Sequence, residues 1–182
     1  MQREPVKTGV SVEEYLVWER EQRDKHEYFN GRLFMMAGGS PRHNQLCANV
    51  IFALVAQLRT KCNVLTSDQR IRARKGHFYY PDVSVVCGEM KVEHDDVVTN
   101  PSIVIEVLSS STSDFDRGEK WDGYRRNWSL TDYGLVSQSR AQIEHYRRDE
   151  NGWHYDPVLA GGTVRLTNGA TLVVDEIFAG VF

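Results

Sequence analysis

Basic charge is not in excess in this sequence: 22 lysines and arginines stand against 25 aspartates and glutamates, which gives a net charge of −3. Proteins that coat nucleic acid are normally basic as a whole, so this class is disfavoured, although a local basic face stays open. Long apolar runs are also missing, because no stretch reaches the roughly 18 apolar residues of a membrane span. The N-terminus has no apolar core of a signal peptide, and we therefore expect a cytoplasmic protein.

Cysteine is scarce as well. Cys47, Cys62 and Cys87 are an odd number of widely spaced cysteines, and none belongs to a CxxC pair or a Cys/His cluster. This pattern argues against a disulfide framework and against a zinc site. Internal repeats and low-complexity segments are absent too. With 182 residues, 41% of them hydrophobic, we expect one domain over residues 1–182 that buries a sizeable core.

Local patterns predict an N-terminal helix, a β-hairpin and a long core helix. Ser11 and Glu14 have the S-x-x-E spacing of a capping box, which predicts a short helix. Asn30 and Gly31, between aromatic and apolar residues, are a strong signal for a two-residue hairpin turn. Residues 42–59 carry apolar side chains at spacings of three and four, so we expect a helix with one wide buried face.

Two apolar, β-branched runs each contain one carboxylate where the core of a strand would favour none. Asp82 interrupts residues 79–86, and Glu106 interrupts residues 102–109. An ionised carboxylate among apolar neighbours is costly unless a cation, a hydrogen-bond donor or a shifted pKa compensates for it. A helix expected from about residue 115 to 126 gives a third charged group, Lys120, a route back to the same place.

The rest of the chain adds strands. Residues 88–100 are charged and end at a proline, which predicts a surface loop between the two carboxylate strands. After residue 133, short apolar segments alternate with Asn-Gly and Gly-Gly turns and predict several more strands, followed by one helical turn. We therefore expect an α/β protein whose central mixed β-sheet is flanked by helices.

Asp82 and Glu106 on adjacent strands could supply two carboxylates to a hard cation such as Mg²⁺ or Mn²⁺, with the Val107 carbonyl as a third oxygen ligand. Such an ion lowers the pKa of a bound water and neutralises charge in phosphodiester hydrolysis. A lysine beside it would stabilise developing negative charge or orient the water. The plain alternative is that Asp82 serves a turn after Pro81 and that Glu106 pairs with an arginine.

Several ordered motifs strengthen the metal interpretation. They are Tyr80-Pro81-Asp82-Val83, then the run from Pro101 to Ser109, then Ser111-Thr112, and finally Asp116-Arg117-Gly118-Glu119-Lys120. This arrangement resembles the Uma2 family, formerly a domain of unknown function, within the PD-(D/E)XK nuclease superfamily. The likeness covers nearly the whole chain and includes the hairpin entry after Glu27 and the passage from Met36 to His43.

The resemblance implies a restriction-endonuclease-like core, magnesium dependence and cleavage of DNA. Asp82 takes the place of the first metal-binding aspartate, and Glu106 that of the second acid. The superfamily normally has its lysine two residues after the second acid, where this chain has Leu108. Lys120 on the following helix inherits the role. Alternatively, Lys120 is only half of an exposed pair with Asp116, four residues earlier, worth a few tenths of a kcal/mol.

Other polar residues are secondary candidates. Glu27 could reach the metal site from the side, or it is an ordinary acid at a strand end. His43, in the first turn of the core helix, is expected to be a neutral imidazole that contacts a phosphate or shuttles a proton, and the alternative is a surface histidine or a capping histidine. Ser109, Ser111 and Thr112 could bind a phosphate, although helix capping is favoured for them.

Arginines at alternate positions bear on the substrate. Arg70, Arg72 and Arg74 lie along an expected strand and would share one face, which could contact nucleic-acid phosphates. The alternative is a solvated edge strand protected by charge.

The sequence thus predicts a Mg²⁺-dependent endonuclease that hydrolyses nucleic acid, with DNA as the expected substrate. Two rivals stay open: a catalytically silent member that binds nucleic acid or protein through the same cleft, and a metal-dependent hydrolase of a small phosphorylated ligand. Because two-fold symmetry matches a duplex, we also expect a homodimer.

Overall fold

Two six-stranded mixed sheets dominate the fold of the chain, for which a computed structural model describes residues 4–109 and 112–181. The helices are α1 (Val12–Glu19), α2 (Pro41–Leu58), α3 (Ser113–Phe115), α4 (Trp121–Tyr124) and α5 (Val174–Ile177), and a π-helical segment, Asp116–Lys120, joins α3 to α4. The strands are β1 (His26–Phe29), β2 (Arg32–Met35), β3 (Cys62–Thr66), β4 (Arg70–Arg74), β5 (His77–Tyr79), β6 (Val83–Cys87), β7 (Val92–Glu93), β8 (Val97–Val98), β9 (Ile103–Val107), β10 (Asp132–Val136), β11 (Gln142–Asp149), β12 (Gly152–Leu159), β13 (Thr163–Arg165) and β14 (Thr171–Val173).

The sheet that carries both predicted acids, here called the site sheet, has the order β12-β11-β10-β9-β6-β3. Its central pair β9 and β10 is parallel, whereas β9 and β6 are antiparallel. The second sheet has the order β2-β1-β5-β4-β8-β7, and β13 pairs with β14 separately. The α/β class and the central mixed sheet agree with the sequence expectation, while the second large sheet was not anticipated.

Strand β9 divides the core into two layers because its side chains alternate between the faces of the sheet. Ile103, Ile105 and Val107 pack in the cluster that contains the buried face of α2. On the other face, Val104 and Leu108 join an aromatic cluster built around the second sheet and α4. Glu106 belongs to this second face by its position in the strand, so its carboxylate points into an interior lined mostly by apolar and aromatic groups.

The hairpin and the core helix formed as their local patterns predict. Asn30 and Gly31 have φ values of 44° and 84°, which is the left-handed pair that a two-residue type I′ turn requires. Ser40 caps α2, and its hydroxyl accepts from the His43 N–H. Pro41 follows at the first helical position, where its missing N–H costs nothing.

The helix after β9 differs from a regular α-helix. It was expected from about residue 115 to 126, whereas the structure has helical residues from Ser113 to Tyr124 with a π-helical turn in the middle. Such wide turns are rare and occur mostly at functional sites. Gly123 lets this helix approach the second sheet closely, since a Cβ there would lie 3.1 Å from the Tyr79 hydroxyl.

Two sequence expectations were wrong. Cys62 and Cys87 form a disulfide, although the odd, scattered cysteines argued against one. They face each other in the antiparallel register of β3 and β6, which is long-range pairing that cysteine spacing does not reveal. The loop expected at 88–100 contains the short strands β7 and β8, which pair with each other and extend the second sheet. Among the described residues, no helix combines the length and apolar character that a membrane crossing requires.

Candidate active site

Asp82 and Glu106 lie side by side because their strands are antiparallel neighbours. The register pairs Val83 of β6 with Ile105 of β9. Asp82 precedes the first of these and Glu106 follows the second, so the two acids come opposite each other. The Asp82 N–H donates to Glu106 Oε2 at 3.4 Å, and the Val107 N–H donates to Asp82 Oδ2 at 2.7 Å. The Val107 amide therefore holds the Asp82 carboxylate, while its carbonyl as a metal ligand stays a prediction.

Lys120 reaches the same place from the π-helical segment. Its Nζ lies 2.8 Å from Glu27 Oε1 and 3.0 Å from Glu106 Oε1. Asp116 Oδ1 is 3.4 Å from the same nitrogen. The Lys120 side chain is only 5% exposed, so the alternative of an exposed helix pair with Asp116 is wrong. Lys120 is instead the centre of a buried group of charges.

Negative charge exceeds positive charge in this group. Lys120 faces three buried carboxylates, those of Glu27, Glu106 and Asp116, and Asp82 adds a fourth beside them. An isolated buried charge is expensive, and a cation that binds there would offset the surplus.

Burial is the main reason why the pKa of Glu106 is raised well above its ordinary value, with Lys120 opposing the rise. Burial also raises the pKa of Asp116, and Lys120 again opposes it. For Lys120 itself, burial lowers the pKa, but Glu106, Glu27 and Asp116 outweigh burial and raise it well above its ordinary value. The acids therefore favour the charged form of Lys120, whereas burial favours the neutral forms of Glu106 and Asp116.

His43 contacts the Asp82 oxygen that also accepts from the Val107 N–H. Its Nε2 lies 3.2 Å from Asp82 Oδ2, and its Nδ1 lies 3.5 Å from Cys47 Sγ. The hydrogen bond with Asp82 is the largest cause that raises the pKa of His43, and partial burial opposes it. The position in the first turn of α2 predicts a neutral imidazole, whereas the adjacent Asp82 carboxylate favours the protonated form.

An open cleft of about 650 Å³ gives access to these groups. Its lining includes all five residues named beforehand as catalytic, which are Glu27, His43, Asp82, Glu106 and Lys120. The same cleft is lined by Asp116, by Arg42 at the start of α2 and by Arg117 of the π-helical segment. Arg117 is bound to Glu144, and Arg42 donates to the Gln138 carbonyl at 3.1 Å.

The arginine row lies elsewhere. Arg70 is 4% exposed and donates through Nε to the Tyr80 hydroxyl at 2.8 Å. Arg72 is bound to Glu93. Arg74 lies 3.9 Å from Asp122. All three guanidinium groups thus have protein partners, and their role as phosphate contacts stays a prediction.

The hydroxyl residues after β9 lie at the cleft but interact with one another. Ser109 Oγ is 2.9 Å from Thr112 Oγ1, and the Thr112 N–H donates to Ser109 Oγ at 3.2 Å. Thr112 is the N-cap residue of α3 but makes no side-chain capping hydrogen bond, so the helix capping favoured for these residues is not confirmed there. Ser111 lies outside the described residues.

Two residues of the site were not selected from the sequence. Asp116 had been considered only as an exposed partner of Lys120, although its spacing of four places both on one helical face. The scattered cysteines do not point to Cys47, although it follows His43 by four residues on α2. The i, i+4 spacing was the available signal in both cases.

The donor set fits a hard divalent cation. Asp82 and Glu106 offer carboxylate oxygens, the ligand type that Mg²⁺ and Mn²⁺ prefer. The surplus of acids around a single lysine gives a reason for cation binding that does not depend on the resemblance.

Comparisons with known proteins give a matching family and similar proteins. Residues 12–181 match the Uma2 family, whose description is "Putative restriction endonuclease". "Uncharacterized protein slr1290" of Synechocystis sp. (strain ATCC 27184 / PCC 6803 / Kazusa) is 36% identical over 176 residues, which cover 94% of this chain and 93% of that protein. "Uncharacterized protein sll1609" of the same organism is 34% identical over 143 residues, 76% of this chain and 81% of that protein.

A solved structure shares the fold. It is the crystal structure of "a putative nuclease belonging to DUF820 from Anabaena variabilis ATCC 29413", which superposes with a TM-score of 0.77 and covers 95% of this chain and 99% of its own. At 14% sequence identity, this likeness establishes the fold alone. The match to the family over residues 12–181, together with the relative that is 36% identical, shows that the chain belongs to the Uma2 family.

Proposed function

We propose that the protein is a metal-dependent endonuclease that hydrolyses phosphodiester bonds of nucleic acid, with DNA as the preferred substrate. The observation that carries the proposal is the meeting of Asp82, Glu106 and the buried Lys120 in one open cleft. The family description "Putative restriction endonuclease" supports the same reaction class.

Asp82 and Glu106 are the residues that would hold Mg²⁺ or Mn²⁺, with the Val107 carbonyl as a further oxygen donor. Such an ion, when bound, supplies Lewis-acid polarisation of the phosphate and a water of lowered pKa. The Val107 N–H fixes the orientation of the Asp82 carboxylate, because it donates to Oδ2 at 2.7 Å. His43 donates to the same oxygen from Nε2 and is placed to hold or release a proton at the edge of the cleft.

Lys120 acts on the acids in this arrangement. An ammonium group has three N–H donors, and three carboxylate oxygens lie within 2.8 to 3.4 Å of Nζ. Lys120 therefore fixes Glu106, while Glu27 and Asp116 fix Lys120. To stabilise charge on a phosphate directly, the lysine would first have to release one of these carboxylates.

The nucleic-acid backbone would meet Arg42 and Arg117, which are the arginines in the lining of the cleft. Each phosphate contact made by an arginine adds to affinity and makes the affinity fall with salt. Because these two arginines give the cleft local positive charge, binding of a nucleic-acid backbone there is compatible with the net charge of −3 of the whole chain.

The decisive experiment is cleavage of supercoiled plasmid, single-stranded DNA and RNA by the purified full chain with Mg²⁺ or Mn²⁺. We expect metal-dependent nicking that is abolished in Asp82→Ala and Glu106→Ala. Glu150→Ala is the matched control, because Glu150 is an exposed carboxylate in a turn. Equal cleavage by Glu106→Ala would identify a contaminating nuclease and refute the proposal.

Metal binding has its own measurement. Mg²⁺ or Mn²⁺ should raise the unfolding temperature of the protein by an amount that grows with the logarithm of 1 + [metal]/Kd, and Asp82→Ala should lose this shift. A gel shift in Ca²⁺ separates binding from cleavage. Retarded DNA with no cleavage in Mg²⁺ would favour the catalytically silent alternative.

We extend the proposal to the organisation of the protein: one domain over residues 1–182, a cytoplasmic location and a homodimer that matches the two-fold symmetry of a duplex. Light scattering of the purified chain tests the dimer. A monomer mass that persists in the presence of DNA would contradict it.

A further inference from the structure

A thiol, an imidazole and a carboxylate lie together next to the proposed active site. Cys47 follows His43 by one turn of α2, and its Sγ is 3.5 Å from His43 Nδ1. The Nε2 of the same imidazole is 3.2 Å from Asp82 Oδ2. One ligand atom from each residue lies within 4.8 Å of the other two.

The order thiol, imidazole, carboxylate is also the order of a cysteine nucleophile with its base, but the chemistry of Cys47 differs from that of a nucleophile. Burial raises the pKa of the thiol well above its ordinary value, and Asp82 and Glu106 raise it further. A nucleophilic cysteine needs the opposite shift, toward the thiolate. The shift therefore argues against a free nucleophile, whereas the close grouping of thiol, imidazole and carboxylate is a donor set that metal ions use.

We propose that His43, Cys47 and Asp82 form a binding site for a thiophilic divalent cation of the Zn²⁺ class. Zn²⁺ is bound by cysteine, histidine and aspartate in a tetrahedron, and Mg²⁺ prefers oxygen ligands. On binding, the Cys47 thiol and the Nδ1 of a protonated His43 release their protons to solvent, so that sulfur coordinates as thiolate and Nδ1 as a neutral imidazole nitrogen, while solvent takes the fourth position.

The spacing of the donors supports this coordination. Zn–S and Zn–N bonds of about 2.3 and 2.0–2.1 Å, joined at a tetrahedral angle, separate sulfur from nitrogen by about 3.6 Å. The observed separation between Cys47 Sγ and His43 Nδ1 is 3.5 Å. The Asp82 carboxylate lies on the other side of the imidazole, so the side chains must rotate to converge. All three ligand atoms already lie within 4.8 Å of one another.

Access to the site is through the cleft. His43 and Asp82 both line it, with side-chain exposures of 16% and 14%. Asp82 would thus belong to two alternative sites, a hard one with Glu106 and a soft one with His43 and Cys47. Occupation of the soft site withdraws Asp82 from Glu106, and we expect it to inhibit the nuclease. This inhibitory consequence rests on the proposed function, whereas the metal site itself does not.

Titration of the full chain with Co²⁺, with the Cys62–Cys87 disulfide intact and Cys47 as the free thiol, tests the site directly. We expect a thiolate-to-Co²⁺ charge-transfer band that saturates at one ion per chain and disappears when Zn²⁺ displaces Co²⁺. Cys47→Ser and Cys47→Ala should lose the band, and their Zn²⁺ affinity should fall by about tenfold or more. The double variant Cys62→Ser/Cys87→Ser is the matched control and should keep it.

Two results would overturn the site: no charge-transfer band in the unaltered protein, or a band that survives in a folded Cys47→Ser or Cys47→Ala variant. Thermal unfolding identifies which variant is folded. Cys47→Ala is included because, unlike Cys47→Ser, it places no hydroxyl group at this half-buried position.

The inhibitory role is tested by adding Zn²⁺ to Mg²⁺-supported plasmid cleavage. Inhibition of Cys47→Ser should require at least about tenfold more Zn²⁺ than inhibition of the unaltered protein. Equal sensitivity would refute the inhibitory role. If the protein cleaves no nucleic acid at all, the proposed function fails, and the Co²⁺ titration still decides the metal site.

Discussion

Glu106 is the residue at which stability and the proposed chemistry conflict. It is 3% exposed, three residues of like charge lie around it, and a single lysine compensates them. A carboxylate kept in such a place costs stability that only a function or a ligand justifies. Sites of this kind are expected to become more stable when the acid is neutralised, at the cost of activity.

The first prediction concerns the pH dependence of stability. The pKa of Glu106 is raised in the folded chain, so the unfolded chain loses its proton first once the pH exceeds the ordinary value of 4.5. Stability should therefore fall as the pH rises from there toward the folded-state pKa. Glu106→Gln should weaken this dependence, to which the raised pKa of Asp116 also contributes, and should be more stable than the unaltered protein at pH 7 by about 1 kcal/mol or more.

Urea unfolding at pH 4.5 and at pH 7 measures the effect, with the exposed Glu150→Gln as control. An equal slope of stability against pH in Glu106→Gln and in the unaltered protein would contradict it. Addition of Mg²⁺ should reduce the difference in stability between Glu106→Gln and the unaltered protein at pH 7, since the ion stabilises only the chain that retains the carboxylate.

The second prediction concerns Lys120. Lys120→Met leaves the carboxylates of Glu27, Glu106 and Asp116 without their cation, so we expect a loss of about 3–5 kcal/mol at neutral pH. An exposed helix pair would lose only a few tenths of a kcal/mol. The double variant Lys120→Met/Glu106→Gln should recover part of the loss, because one uncompensated charge is gone. Urea unfolding decides between these outcomes, and purely additive effects would argue against coupling.

At the scale of elements, the helix that carries Asp116 and Lys120 is held against the second sheet by a close contact. A Cβ at Gly123 would lie 3.1 Å from Tyr79 Oη and 3.2 Å from its ring, whereas a Cβ at Gly118 would meet nothing within 4 Å. The two glycines belong to the same run of helical residues. Substitution of Gly123 therefore tests the contact with Tyr79, and substitution of Gly118 tests helix propensity alone.

The third prediction follows from that comparison. Gly123→Ala should destabilise the protein by about 1–3 kcal/mol through crowding of Tyr79. Gly118→Ala should be neutral or stabilising by up to about 1 kcal/mol, since alanine favours helix. Thermal or urea unfolding of both variants provides the measurement. Equal effects at the two positions would show that the Tyr79 contact does not restrain the helix.

At the scale of the whole molecule, the Cys62–Cys87 disulfide joins the edge strand β3 to β6, the strand that Asp82 precedes. It closes a segment with a sequence separation of 25 that contains part of the second sheet. Both cysteines belong to the sheet that contains β9, whereas the segment that the bond closes contains β4 and β5 of the second sheet.

The fourth prediction is that reduction of this disulfide destabilises the protein by about 2–4 kcal/mol, the range for a loop of this length. Unfolding with and without reductant measures the change. The Cys62→Ser/Cys87→Ser variant should have the same stability as the reduced protein, and reductant should not change its stability. If reductant leaves the unaltered protein unchanged, the two cysteines are not bonded in solution. Alkylation of free thiols in intact cells would show whether Cys62 and Cys87 are bonded there. This result tests the expected cytoplasmic location, because disulfides are rare in the cytoplasm.

The sequence by itself determined the elements whose causes are local. Asn30-Gly31 predicted its turn because few residues accept left-handed φ values, and residues 42–59 predicted α2 because apolar side chains recur at helical spacing. Asp82 and Glu106 stood out because carboxylates are costly inside apolar strands.

Only the tertiary structure decided what each charge meets. It buried Lys120 among three acids instead of leaving it on a surface, gave the Arg70 guanidinium an aromatic partner instead of solvent, and placed Cys47 beside His43 and Asp82. These outcomes depend on strand register and on the packing of one sheet against another. Both are set by contacts between residues far apart in the chain, which local spacing does not encode.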